Sequence, residues 1–141
     1  MARTTHATHV DHTENLVVLI GEVVGDPLDR ALADGSTVVQ FDLRTTVVRG
    51  DAEFTRTVPL SWRDPTHRDR ALVTPSARVL VIGTVERRFF RVGGTTQSRT
   101  EVVVGRLVPT RRRQAVGRAL DGLAELISGA GGPRDPSAAS A

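Results

Sequence analysis

The residues with chemistry to offer are arginines and flat rings. Trp62 lies near Arg56, Arg63 and Arg68, and the pair Phe89-Phe90 is bracketed by Arg87, Arg88 and Arg91. Cations that follow a phosphate backbone, interleaved with rings that accept stacked bases at ~1–3 kcal/mol each, hold single-stranded nucleic acid. On a strand Phe89 and Phe90 point to opposite faces, so one can be core and the other exposed. The competing reading of the aromatics is plain core. Phe41, between Val39 and Leu43, takes that reading, while Trp62 and Phe90 stay open between core and exposed site.

Other chemistries find less support. His6, His9 and His12 are spaced three apart and could share one side of a helix, yet the surrounding residues have no helical pattern; His67 is isolated. Cysteine is absent, which excludes a disulfide framework, a thiolate-bound zinc, a thiol nucleophile and an iron–sulfur cluster. Ser61 has no histidine or base nearby in sequence, and Gly93-Gly94 suits a hairpin, not a phosphate-cradling loop before a helix. The expectation is a binding protein: no enzyme, no metal, no cofactor. No apolar run approaches the ~18 residues of a membrane span, and residues 1–15 have no signal-peptide core, so a cytoplasmic protein is expected.

Charge is distributed unevenly. All 19 basic side chains are arginine, and the net charge is only +3. Residues 1–43 carry −5, residues 44–118 carry +10, and residues 119–141 carry −2. A segment at +10 suits a polyanion or an acidic surface.

The elements that must position these residues are strands. Residues 16–24 read as an apolar strand ending in the turn Gly25-Asp26-Pro27, and Ala33-Asp34-Gly35-Ser36 is a second turn. Val39, Phe41 and Leu43 alternate with polar neighbours, the period of a half-buried strand. Arg49-Gly50-Asp51 reads as a hairpin loop, and residues 53–63 as a third strand, with Pro59 at an edge or bulge. Residues 64–75 could hold a short helix opened by Asp64 or Thr66 and stopped by Pro75. Residues 78–91 and 98–108 complete five strands, broken at Gly93-Gly94 and ended by Pro109. Five strands with one short helix between the third and fourth predict a mainly β fold, a five-stranded Greek-key OB barrel over residues 15–109, with an open five-stranded sandwich as the alternative packing. Residues 1–14 are expected to be a loose arm. Over 110–128, Val116, Leu120, Leu123 and Ile127 form one helical stripe, with Thr110 as cap and Gly129 as stop. Residues 129–141 are rich in Gly, Pro, Ser and Ala, and disorder is expected there.

These strands resemble a family, the bacterial single-stranded-DNA-binding proteins of the OB-fold type. Asn15-Leu-Val-Val-Leu-Ile-Gly21 with Gly25-Asp26-Pro27 is similar to that family's first strand and turn, and Phe41-Asp-Leu43 to its second. Leu60-Ser-Trp62-Arg63 resembles the third strand of actinobacterial members. Arg78-Val-Leu-Val-Ile-Gly83 and Thr100-Glu-Val-Val-Val104 resemble the fourth and fifth. The resemblance covers about residues 15–108. It implies a homotetramer that binds single-stranded DNA with little sequence preference in replication, repair or recombination, and a nucleoid-associated location. Two stacking positions match at Trp62 and Phe90; two more fall on Arg49 and Arg56, where relatives often carry Trp. A guanidinium plane can stack on a base and pair with phosphate at once. Arg63, Arg87, Arg88, Arg91, Arg99 and the cluster Arg111, Arg112 and Arg113 complete the expected DNA-binding set. The tail departs from relatives: residues 126–141 hold one acid, Asp135, where an acidic tip usually recruits repair proteins. A paralogue without that recruitment is expected. The alternative is an OB-fold interaction module whose basic face binds an acidic protein or structured RNA.

Overall fold

A computed structural model describes residues 13–130, with side chains to residue 128. Five long strands form a closed barrel in the order β1-β2-β3-β5-β4. They are β1 (Val17–Ala31), β2 (Thr37–Arg49), β3 (Ala52–Arg63), β4 (Arg78–Val92) and β5 (Thr95–Pro109). The short helix α1 (His67–Arg70) lies between β3 and β4, and α2 (Arg113–Ala130) follows β5. The mainly β OB-fold architecture is therefore present. Asn15–Arg112 forms one compact unit, and α2 belongs to a second.

Period-2 alternation builds the core. Val39, Phe41 and Leu43 of β2 face Trp62, Leu60 and Val58 of β3 in register, and all but Val58 are buried. Val23, Val79, Val81, Val102, Val104 and Leu107 close the cluster from the other strands. β5 has an extra residue where its register with β4 shifts at Ile82/Gly83, which keeps Val102 and Val104 on the core side. The seam between β3 and β5 is parallel and short, with only Leu60↔Val102 and Ser61↔Val103 in register. Pro59 lies beside that seam, on an edge of β3 otherwise unpaired, where its missing N–H is harmless.

Helix α1 is opened by Thr66, whose Oγ1 accepts a hydrogen bond from the Asp69 N–H at 3.1 Å. Arg70 fixes it to β1 through two 2.8 Å bonds to Asp29, and also donates to the Val73 carbonyl at 3.0 Å. Val73 itself is in the core.

Three expectations about local structure are corrected. Gly25-Asp26-Pro27 does not end the first strand: β1 continues to Ala31 through a bulge between Val24 and Leu28, and Gly25 takes φ +72° there. A bulge reverses nothing; it bends the strand and lets it resume pairing with β2. Thr110 does not cap α2. Its N–H and Oγ1 both donate to the Arg78 carbonyl, and the helix starts three residues later. Nor does Gly129 stop α2, which runs to Ala130. His6, His9 and His12, and the tail after residue 130, lie outside the described residues.

Candidate nucleic-acid interface

Strand register places two arms at one end of the barrel. β3 and β5 run parallel at Leu60 and Val102, so stepping back along each leads away from the seam in the same direction. The β2–β3 ladder continues to Arg49↔Ala52, and the β4–β5 ladder to Val92↔Thr95. Each hairpin extends beyond the seam by roughly 25 Å at the strand rise per residue. Their tips are the turns at Gly50-Asp51 and Gly93-Gly94; both of the latter glycines have positive φ, at 56° and 82°. Such a two-residue turn matches the right-handed twist of the strands it joins.

Parity sorts the side chains of the arms. The face continuous with the core carries Thr45 opposite Arg56, Val47 opposite Phe54 and Arg49 opposite Ala52. On the other arm the same face carries Val85 opposite Val102, Arg87 opposite Thr100, Phe89 opposite Ser98 and Arg91 opposite Thr96. These inner faces thus combine Arg49, Arg56, Arg87 and Arg91 with two exposed rings, and no carboxylate is among the paired residues. Phe89 is 66% exposed and Phe54 37%. The Arg56 Cζ sits 5.2 Å from the Phe54 centroid, a cation–π contact that presents a guanidinium plane and a ring together. Arg56 also donates to the Thr55 carbonyl at 3.0 Å and Arg91 to the Gly94 carbonyl at 3.2 Å. A guanidinium has five donors, so both retain several for an anion.

The outer face of the β4–β5 arm is different. Glu86 stands opposite Glu101, Arg88 opposite Arg99 and Phe90 opposite Gln97. Two carboxylates there balance two guanidinium groups. Phe90 is 38% exposed on this face, turned away from Phe89.

The other expected residues scatter. Trp62, open between core and exposed site in the sequence, is 7% exposed and packed in the core cluster opposite Val39. Arg63, next to it, points outward at the end of β3 away from the arms. Arg99 lines a polar recess with Asp26, Gln40 and Asp42. Arg111 and Arg112 follow β5 at its end away from the arm, exposed, and Arg113 opens α2. Arg49, Arg56, Arg87 and Arg91 are the expected cations that the fold puts on the inner faces of the arms. Phe54 is absent from the expected set, and of the pair Phe89-Phe90 that set holds Phe90 and not Phe89. Both were accessible by counting in twos, Phe54 from Leu60 and Phe89 from Val81.

Among the described residues no group of three or more His, Asp or Glu could hold a metal ion. No helix among them is long and apolar enough to cross a membrane.

A closed five-stranded barrel in this strand order, with a short helix between β3 and β4, defines an OB-fold protein. Among solved structures it is similar to that of a Plasmodium falciparum SSB in complex with single-stranded DNA. The TM-score is 0.59 at 20% identity, over 70% of this chain and 96% of that one. At that identity the likeness is one of fold. No protein-family model matches the chain, and no curated protein does.

Proposed function

We propose that this chain binds single-stranded DNA along the inner faces of its two arms, with little sequence preference. The observation that carries the reading is the sorting by parity: four arginines and two exposed phenyl rings lie on the inner faces of the two arms, where no paired residue is a carboxylate. Arginines there neutralise phosphates, and the rings of Phe54 and Phe89 accept stacked bases, which every base can supply. The fold likeness to a protein solved with single-stranded DNA supports the same ligand. An acidic protein partner would use the arginines and leave Phe89 without a role.

The wider reading is a non-catalytic protein that covers single strands during replication, repair or recombination in the cytoplasm. Assembly as a homotetramer belongs to this reading. Val18 and Ile20 are exposed on the outward side of β1, and an apolar row of that kind favours a partner surface.

Oligo-dT of increasing length tests the proposal. Affinity should rise with length and fall steeply with salt. Binding indifferent to length, or stronger for duplex RNA or an acidic protein, would favour the interaction-module reading.

A further inference from the structure

Arg88 and its neighbour Arg87 look equivalent in sequence, yet the structure treats them differently. Arg87 lies on the inner face opposite Thr100, with no ion-pair partner among the described residues. Arg88 lies on the outer face, and its Nη2 is 3.1 Å from the Glu101 Oε1. Glu101 is only 4% exposed, on a strand position facing away from the hydrophobic interior. Its Oε1 also accepts from the buried Ser61 Oγ at 3.1 Å. Those two partners come from β4 and β3, so the carboxylate ties together three strands at the β3–β5 seam, where the arms diverge.

We propose that Glu101 is a positioning residue that acts as a built-in substitute for phosphate. It holds Arg88 on the outer face and takes it out of the set of cations available to a nucleic-acid strand. A buried carboxylate left without its cation is strongly unfavourable, so Arg88 does not leave it for an exposed, well-hydrated phosphate. The charge-assisted bond also fixes the root of the β4–β5 arm, so the strand meets Arg87, Phe89 and Arg91 on the inner face. Glu101 thereby selects which side of a two-faced arm binds. This inference rests on the single-stranded-DNA reading for its ligand, but the sequestration of Arg88 holds for any polyanion.

The test compares adjacent arginines with the same charge change. Arg87→Ala should flatten the log–log salt dependence of oligo-dT binding by about 0.7, the value for one lost phosphate contact on a single strand. Arg88→Ala should leave the slope unchanged while lowering the melting temperature. Glu101→Gln retains a hydrogen-bonding group for Ser61 and frees Arg88, so its slope should steepen by about 0.7, and Glu101→Gln with Arg88→Ala should return to the wild-type value. The double variant removes both charges and serves where Arg88→Ala alone unfolds. Elution from a heparin column repeats the comparison without DNA: Arg87→Ala should elute earlier, Arg88→Ala with wild type, and Glu101→Gln later. Flattening by Arg88→Ala equal to that of Arg87→Ala, or a Glu101→Gln protein indistinguishable from its Arg88→Ala double variant, overturns the proposal. Wild-type protein that ignores oligo-dT but keeps the heparin pattern would overturn the DNA reading and leave the role of Glu101 standing.

Discussion

At the scale of single residues, the side a ring points to matters more than its neighbours in sequence. Phe89→Ala and Phe54→Ala should each weaken oligo-dT binding by about 1–3 kcal/mol with the fold retained, as measured by fluorescence anisotropy beside circular dichroism. Phe90→Ala, on the outer face, should change binding far less. Trp62 behaves in the opposite way. Its ring is part of the core, so Trp62→Ala should lower stability by about 3–5 kcal/mol in a denaturant titration. Its emission in the wild-type protein should change little when oligo-dT is added. The clustering of arginine around aromatic residues was legible in the sequence, and so was the role of Phe41. What misled was proximity: Trp62 sits among arginines along the chain, but it shares its face with Leu60 and Val58, and Arg63 points the other way. Arg88 shows the same limit. Nothing in the sequence marks Glu101 as buried, because it lies between strand residues whose exposure depends on how the barrel closes.

At the scale of elements, hydrophobic patterning and turn signals predicted five strands and the C-terminal helix, and cap and stop residues predicted the short helix, all in their observed order. It failed where a local signal had two structural outcomes. Gly25-Asp26-Pro27 can turn a chain or bulge a strand, and only the pairing of Leu28–Ala31 with β2 decides between them. Thr110 can cap a helix, but the Arg78 carbonyl on the adjacent strand claims its donors first. The clamp between α1 and β1 was invisible, since Asp29 and Arg70 are 41 residues apart. It has a pH signature. The hydrogen bonds from Arg70 hold the Asp29 carboxyl below its ordinary range, while the unfolded chain titrates at the unperturbed value of about 3.9. The stabilisation is therefore complete above that value and is lost as pH falls through the lower, folded one. Asp29 is largely exposed, so the effect is small. Thermal melts should show wild type above Asp29→Asn at pH 6, with the two curves converging in strong acid. A constant gap at every pH would mean that the pair contributes by packing and not by charge.

At the scale of the whole molecule, the fold turns an uneven charge sequence into a directed one. Within the basic stretch 44–118, strand parity puts Arg49, Arg56, Arg87 and Arg91 on the inner faces with no carboxylate opposite, and Arg88 on the outer face of the β4–β5 arm, paired with Glu101. The proposed assembly is tested by light scattering at micromolar concentration, which should give about four times the 15.2 kDa of one chain. A value near one chain mass would leave Val18 and Ile20 without the partner proposed for them. The central claim, that the inner faces hold single-stranded DNA, is tested most directly by oligo-dT affinity across a salt series. Four inner-face arginines, each on one phosphate, predict a log–log slope of about −2.8 or steeper. A slope shallower than about −1, or no binding at low salt, would contradict the claim.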